Sequence, residues 1–103
     1  MNNIMEELKS LFRQNGIPVF GIAESTLLES EPEGYRPSDL LSSALNTICF
    51  GIPIPKGVFL DQKRVNKNYW RMANIYYHQI DVISSQAAVI IESHNEMATP
   101  VLS

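Results

Sequence analysis

His78 and Asp81 stand three residues apart in a stretch with helical patterning, so their side chains lie on adjacent turns and can meet. A carboxylate so placed orients an imidazole, as a general base or a metal-ligating histidine requires. No nucleophile or third ligand has a spacing that completes a site around them, and a solvent-facing polar pair is the competing reading. The same stretch carries Tyr69, Trp70, Tyr76 and Tyr77. Aromatic bodies with polar tips suit stacking on a flat cofactor such as a flavin or a corrinoid, but tyrosine and tryptophan at helical spacing also form ordinary core. His94 reads as a charge partner at a helix end or a half-buried core residue.

Cys49 is the only cysteine, flanked by Ile48 and Phe50 in an apolar run, and is expected to be a buried thiol. One cysteine excludes an internal disulfide, a cysteine-rich iron–sulfur site and a thiolate zinc site. The segment from Gly51 to Gly57 has glycines at its ends but not the spacing of a phosphate loop. No serine–histidine–aspartate order or paired-carboxylate arrangement is present to support a complete enzyme.

A length of 103 residues sets a single domain, 1–103, with one modest core. Apolar residues make up 45% and charged residues 18%, the balance of a globular rather than a disordered chain. The net charge of −3 argues against a nucleic-acid partner, and the basic cluster Lys63, Arg64 and Lys67 reads as a solvated loop or helix start. The N-terminal residues lack the basic region and apolar core of a signal peptide. No apolar run approaches the ~20 residues needed to span a bilayer. A membrane partner is therefore not expected, and the reducing cytoplasm is the expected compartment.

The elements that must position these side chains follow from periodicity. Ile4, Leu8, Leu11 and Phe12 mark an amphipathic helix over about residues 3–14, stopped by Asn15-Gly16. Pro18 to Ala23 predicts a short strand, and Thr26 to Tyr35 an exposed loop. Pro37 or Ser38 starts a short helix with Leu40, Leu41, Ala44 and Leu45 as its apolar face. Thr47 to Ile52 predicts a strand covered on both faces, ended by Pro53-Ile54-Pro55. Lys56 to Asn66 is a connection, and Asn66 or Asn68 caps the next helix. Glu96 to Leu102 predicts a third strand, broken or forced to an edge by Pro100.

The run from Tyr69 to His94 predicts one long helix that is apolar around most of its circumference, a pattern that demands burial on more than one side. Tyr69, Met72, Ala73, Tyr76, Ile80, Ile83, Ala87, Ile90 and Ile91 share a broad face. Ile75, Val82 and Val89 repeat every seven residues on one flank, and Trp70, Tyr77 and Ala88 lie on the other. Such a helix is roughly 39 Å long, whereas a compact domain of about 100 residues has a radius of gyration near 13 Å. Two readings stand. Either the flanks pack on the first helix and the loops, or the Ile75–Val82–Val89 flank meets a second subunit or a further part of the fold.

Three blocks together resemble a known family. They are Gly21-Ile22-Ala23; Arg36-Pro37-Ser38-Asp39-Leu40-Leu41 through Ile48-Cys49-Phe50-Gly51-Ile52-Pro53; and Tyr69-Trp70-Arg71-Met72-Ala73-Asn74-Ile75-Tyr76-Tyr77-His78. Over about residues 17–102 their order and spacing are similar to the N-terminal region of the epoxyqueuosine-reductase-like iron–sulfur proteins, relatives of the corrinoid-dependent reductases. The resemblance implies part of a nitroreductase-like α/β cobalamin-binding region, in which a helix carries an Asp-Tyr-His motif. Tyr77 and His78 match its last two positions, and Tyr76 stands where the family has aspartate. The family's cluster-binding cysteines and catalytic acid fall beyond Ser103, so the resemblance implies an N-terminal module without its iron–sulfur part.

The expectation is thus an α/β (α+β) protein: a small mixed sheet of about three strands covered by helices, with one long central helix. The expected function is that of a reductase-like N-terminal module, catalytically incomplete alone. Its partner is expected to be a second copy of itself or a missing C-terminal domain. Tyr76, Tyr77 and His78 are the candidate cofactor residues, with cobalamin as the cofactor the resemblance implies. The alternative is a stand-alone small dimeric protein that binds a ligand or a partner.

Overall fold

The computed structural model describes residues 2–55 and 67–102. The chain is a mixed α/β protein with the order α1 (Asn2–Gln14), β1 (Val19–Glu24), a 3-10 turn (Ser25–Leu28), α2 (Pro37–Leu40), β2 (Asn46–Gly51) and α3 (Lys67–Glu92). The predicted connection 56–66 lies outside the described residues, as do Lys63, Arg64 and the candidate cap Asn66. Because α3 starts at Lys67, Asn68 lies inside the helix rather than at its cap.

α1 ends as its sequence dictates. Gly16 adopts φ +68, the left-handed conformation that glycine enters without steric cost. The chain then folds back: the Ile17 N–H donates to the Phe12 carbonyl at 2.9 Å and the Gly16 N–H to the Arg13 carbonyl at 3.2 Å. This Schellman closure brings Ile17 into the core with Phe12, and both are buried.

β1 and β2 pair antiparallel, with Phe20 opposite Phe50, Gly21 opposite Cys49 and Ile22 opposite Ile48. Alternation along a strand puts Phe20, Ile48 and Phe50 on one face. Phe12 of α1 rests there, its ring 5.0 Å from Phe20 and 5.1 Å from Phe50 between centroids. Val19, Gly21 and Cys49 on the opposite face are exposed.

These observations correct three expectations. Among the described residues the sheet has two strands, not three, because residues 96–102 are irregular chain. Pro100 has no N–H to offer a ladder, and Asn95 at φ +65 turns the chain as it leaves α3. The sheet is covered by a helix on one face only, so β2 is not sandwiched. Cys49 is consequently an exposed thiol: its strand alternates inward and outward, although its neighbours are uniformly apolar.

The predicted helix after Arg36 is a single turn. Leu40 and Leu45 are exposed, and Ala44 lies beyond the helix. Asp39 holds the local structure by accepting the N–H groups of Gly34 at 2.7 Å and Arg36 at 3.1 Å. The Arg36 Nε donates to the Glu31 carbonyl at 2.8 Å. These bonds cap the start of the turn, and it ends where Leu41 takes an extended conformation at φ -146 and ψ 105.

The core is small. Ile4, Leu8, Phe12, Ile17, Ile83 and Ala87 form one buried cluster, with Ile90 and Ile91 partly buried against it. α3 packs mainly on α1 rather than across the sheet. It contributes only Ile83 and Ala87 to the fully buried set, both from its second half, so its aromatic first half projects past the core. The radius of gyration is 16.0 Å and the extents are 49 × 33 × 18 Å, against about 13 Å expected for a compact domain of this length.

Phe12 joins sheet and helices, so Phe12→Ala is expected to lower unfolding stability by about 3–5 kcal/mol. Leu27→Ala, at an exposed position, is expected to change it by less than about 0.5 kcal/mol. Denaturant melts of both variants check this, and equal losses would contradict the core assignment.

Candidate functional site

Tyr76, Tyr77 and His78 occupy consecutive positions in the projecting half of α3. Consecutive helical residues point about 100° apart, so the three fan around the rod. Tyr76 is half-buried on the side of the core, whereas Tyr77 and His78 are exposed. Three side chains that diverge in this way do not converge on one face of a planar ligand. These residues by themselves therefore do not fit a corrinoid, and a further wall is needed to make a pocket of them. Trp70 and Tyr77, one heptad apart, share a flank and are 62% and 53% exposed. Tyr69 and Trp70 make an edge-on contact with centroids 6.4 Å apart.

His78 is exposed and Asp81 half-buried, one turn apart on the helix. Among the described residues, no group of three or more histidine, cysteine, aspartate or glutamate side chains is placed to hold a metal ion. No described helix is long and apolar enough to cross a membrane.

His94 follows the end of α3, and its Nε2 lies 2.7 Å from Glu7 Oε2 on α1. The contact fastens the two helices across 87 positions of sequence. Its half-buried imidazole matches the role expected from residue type, while the partner Glu7 was invisible to local periodicity. An ion pair this exposed contributes at most about 1 kcal/mol, so it aligns the helices more than it stabilises them.

Sequence reasoning also missed a groove of about 380 Å³ between α1 and the second half of α3. Leu11, Val89 and Ile90 supply its apolar lining, and Glu7, Gln14 and Ser93 contribute polar groups. Its signal was present but split, because Leu11 belongs to the α1 stripe and Val89 to the seven-residue repeat of α3. The other residues of that repeat are exposed with it: Ile75, Val82 and Val89 are 63%, 42% and 69% exposed.

The chain matches no family model, no curated protein and no solved structure.

Cys49, on the open face of the sheet, is expected to react fully with a water-soluble thiol reagent in the absence of denaturant. Reaction only on unfolding would contradict its placement.

Proposed function

We propose that this chain is a partner-dependent α/β module, catalytically incomplete alone, that self-associates through the exposed flank of α3. The observation that carries the reading is the Ile75–Val82–Val89 seam. A helix with apolar residues on more than one side requires cover on more than one side, and α1 supplies only one.

Within this proposal the module is the N-terminal part of an epoxyqueuosine-reductase-like corrinoid and iron–sulfur protein of the cytoplasm. What supports that assignment is where the resembling blocks fall. Gly21-Ile22-Ala23 lies in β1, the second block runs from α2 through β2, and Tyr69 to His78 forms the projecting half of α3. In the half-helix that the resemblance links to a cofactor, Trp70 and Tyr77 are exposed, while Met72, Ala73 and Tyr76 are half-buried. Cys49 is the one thiol of residues 1–103, so these residues alone do not supply the cysteine set of an iron–sulfur cluster.

Sedimentation equilibrium of the full chain at tens of micromolar is expected to give a dimer. Val82→Asp is expected to give a monomer with unchanged helical content. A clean monomer of the unsubstituted chain would contradict the proposal.

The shared exposed flank of Trp70 and Tyr77 favours a second reading, a stand-alone dimeric protein that holds a flat ligand. Trp70 is the single tryptophan, so its fluorescence reports on that flank alone. Titration with hydroxocobalamin or a flavin is expected to leave it unchanged, because Tyr76, Tyr77 and His78 diverge. Saturable quenching that Tyr77→Ala abolishes would favour the second reading instead.

A further inference from the structure

We infer that the second copy docks on α3 in the antiparallel sense, with the two-fold axis at Val82. This rests on the self-association reading above and adds to it an orientation, a register and a set of contacts.

Residues seven apart drift by only about 20° around a straight helix. Ile75, Val82 and Val89 are therefore aligned along one side of the helix over about 21 Å at 1.5 Å per residue, with the polar residues His78, Gln79, Ser85 and Gln86 on the turns between them. The stripe extends equally on both sides of Val82. When a second stripe is laid against it antiparallel, Val82 meets Val82 of the other copy, and each Ile75 meets the opposite Val89. Such a contact is isologous: both copies use the same patch, and the pair closes without leaving a surface for a third.

Charge decides between the antiparallel and parallel arrangements. Arg71 lies one turn before Ile75 and Glu92 one turn after Val89, and both are exposed. In the antiparallel register each Arg71 comes within one residue of the other copy's Glu92. A parallel pair would instead set Arg71 beside Arg71 and Glu92 beside Glu92. Between these ends Gln79, Ser85 and Gln86 are uncharged, while Asp81, next to Val82, comes near its counterpart across the axis. Two Arg71–Glu92 pairs against that one like-charge approach still favour the antiparallel register over a parallel pair, which has two like pairs at the ends and no opposite one.

Shape gives the same orientation. The groove lined by Leu11, Val89 and Ile90 lies at the Val89 end of the stripe. Ile75, at the other end, stands on the projecting half of α3. In the antiparallel register each exposed Ile75 comes to the groove end of the other copy, beside Val89. Single-site hydrophobic seams of this kind pack with helix axes about 8–10 Å apart.

Cysteine cross-linking in a Cys49→Ser background tests the register, with far-UV circular dichroism confirming that each variant is folded. Val82→Cys places two thiols at the axis, within the roughly 4.4–6.8 Å between α-carbons that a disulfide spans. It is expected to form a covalent dimer almost completely under a mild oxidant. Ile75→Cys alone is expected to stay monomeric on denaturing gels, whereas Ile75→Cys mixed with Val89→Cys is expected to cross-link. An Ile75→Cys homodimer, or failure of Val82→Cys to link while sedimentation still shows a dimer, would overturn the register and leave self-association standing. A monomer in sedimentation would overturn both. As an independent check, Arg71→Glu is expected to weaken the dimer at least ~3-fold through two symmetric ion pairs, and Glu92→Arg in the same chain to restore it. Absence of restoration would contradict the antiparallel pairing.

Discussion

Phe12 is the contact on which the rest of this molecule depends. Its ring lies against Phe20 and Phe50, so it holds the two-stranded sheet to α1. It belongs to the same buried cluster as Ile83 and Ala87, through which α3 is held to α1. The Schellman turn at Gly16 fixes Ile17 beside it. A two-stranded sheet is not stable in isolation, and a helix of 26 residues cannot be covered by one of 13. Everything else in the chain is arranged around a core that one aromatic residue keeps in one piece.

The size of that core sets the functional problem. The buried cluster is concentrated at one end of α3 and on one side of it. This leaves the aromatic half of the helix and the Ile75–Val82–Val89 seam beyond its reach. Scattered exposed apolar residues are normal in small proteins; what sets Ile75, Val82 and Val89 apart is that all three line up on one side of a single helix. The reading of this chain as a module rather than a finished catalyst comes from that geometry. His78 lies on an exposed part of the helix and Asp81, one turn on, is half-buried.

Periodicity made the helices legible in advance. The stripe Ile4, Leu8, Leu11 and Phe12 and the Asn15-Gly16 stop located α1 within a residue or two, and the apolar run located α3 almost as well. Gly51 and the prolines after it bounded β2. What the residues could not show was which elements meet. Ile48-Cys49-Phe50 reads as a doubly buried strand, yet pairing with Gly21 on an open sheet face exposes the thiol. Met97, Val101 and Leu102 suggest a strand, but among the described residues they pair with no other strand, and they are exposed. The candidate site was half legible: the exposed tyrosine and histidine were in view, while the groove beside Val89 depends on α1 and α3 meeting across most of the sequence.

The central claim is that the uncovered flank of α3 is an interface. Hydrogen–deuterium exchange of the amides from Tyr69 to Val89, followed as protein concentration is lowered, tests it most directly. Helical hydrogen bonds stabilised by a second copy lose that protection as the pair dissociates. The account predicts that exchange in this segment accelerates on dilution while the amides of β1 and β2 keep their rates. Exchange in α3 that is the same at every concentration would contradict it.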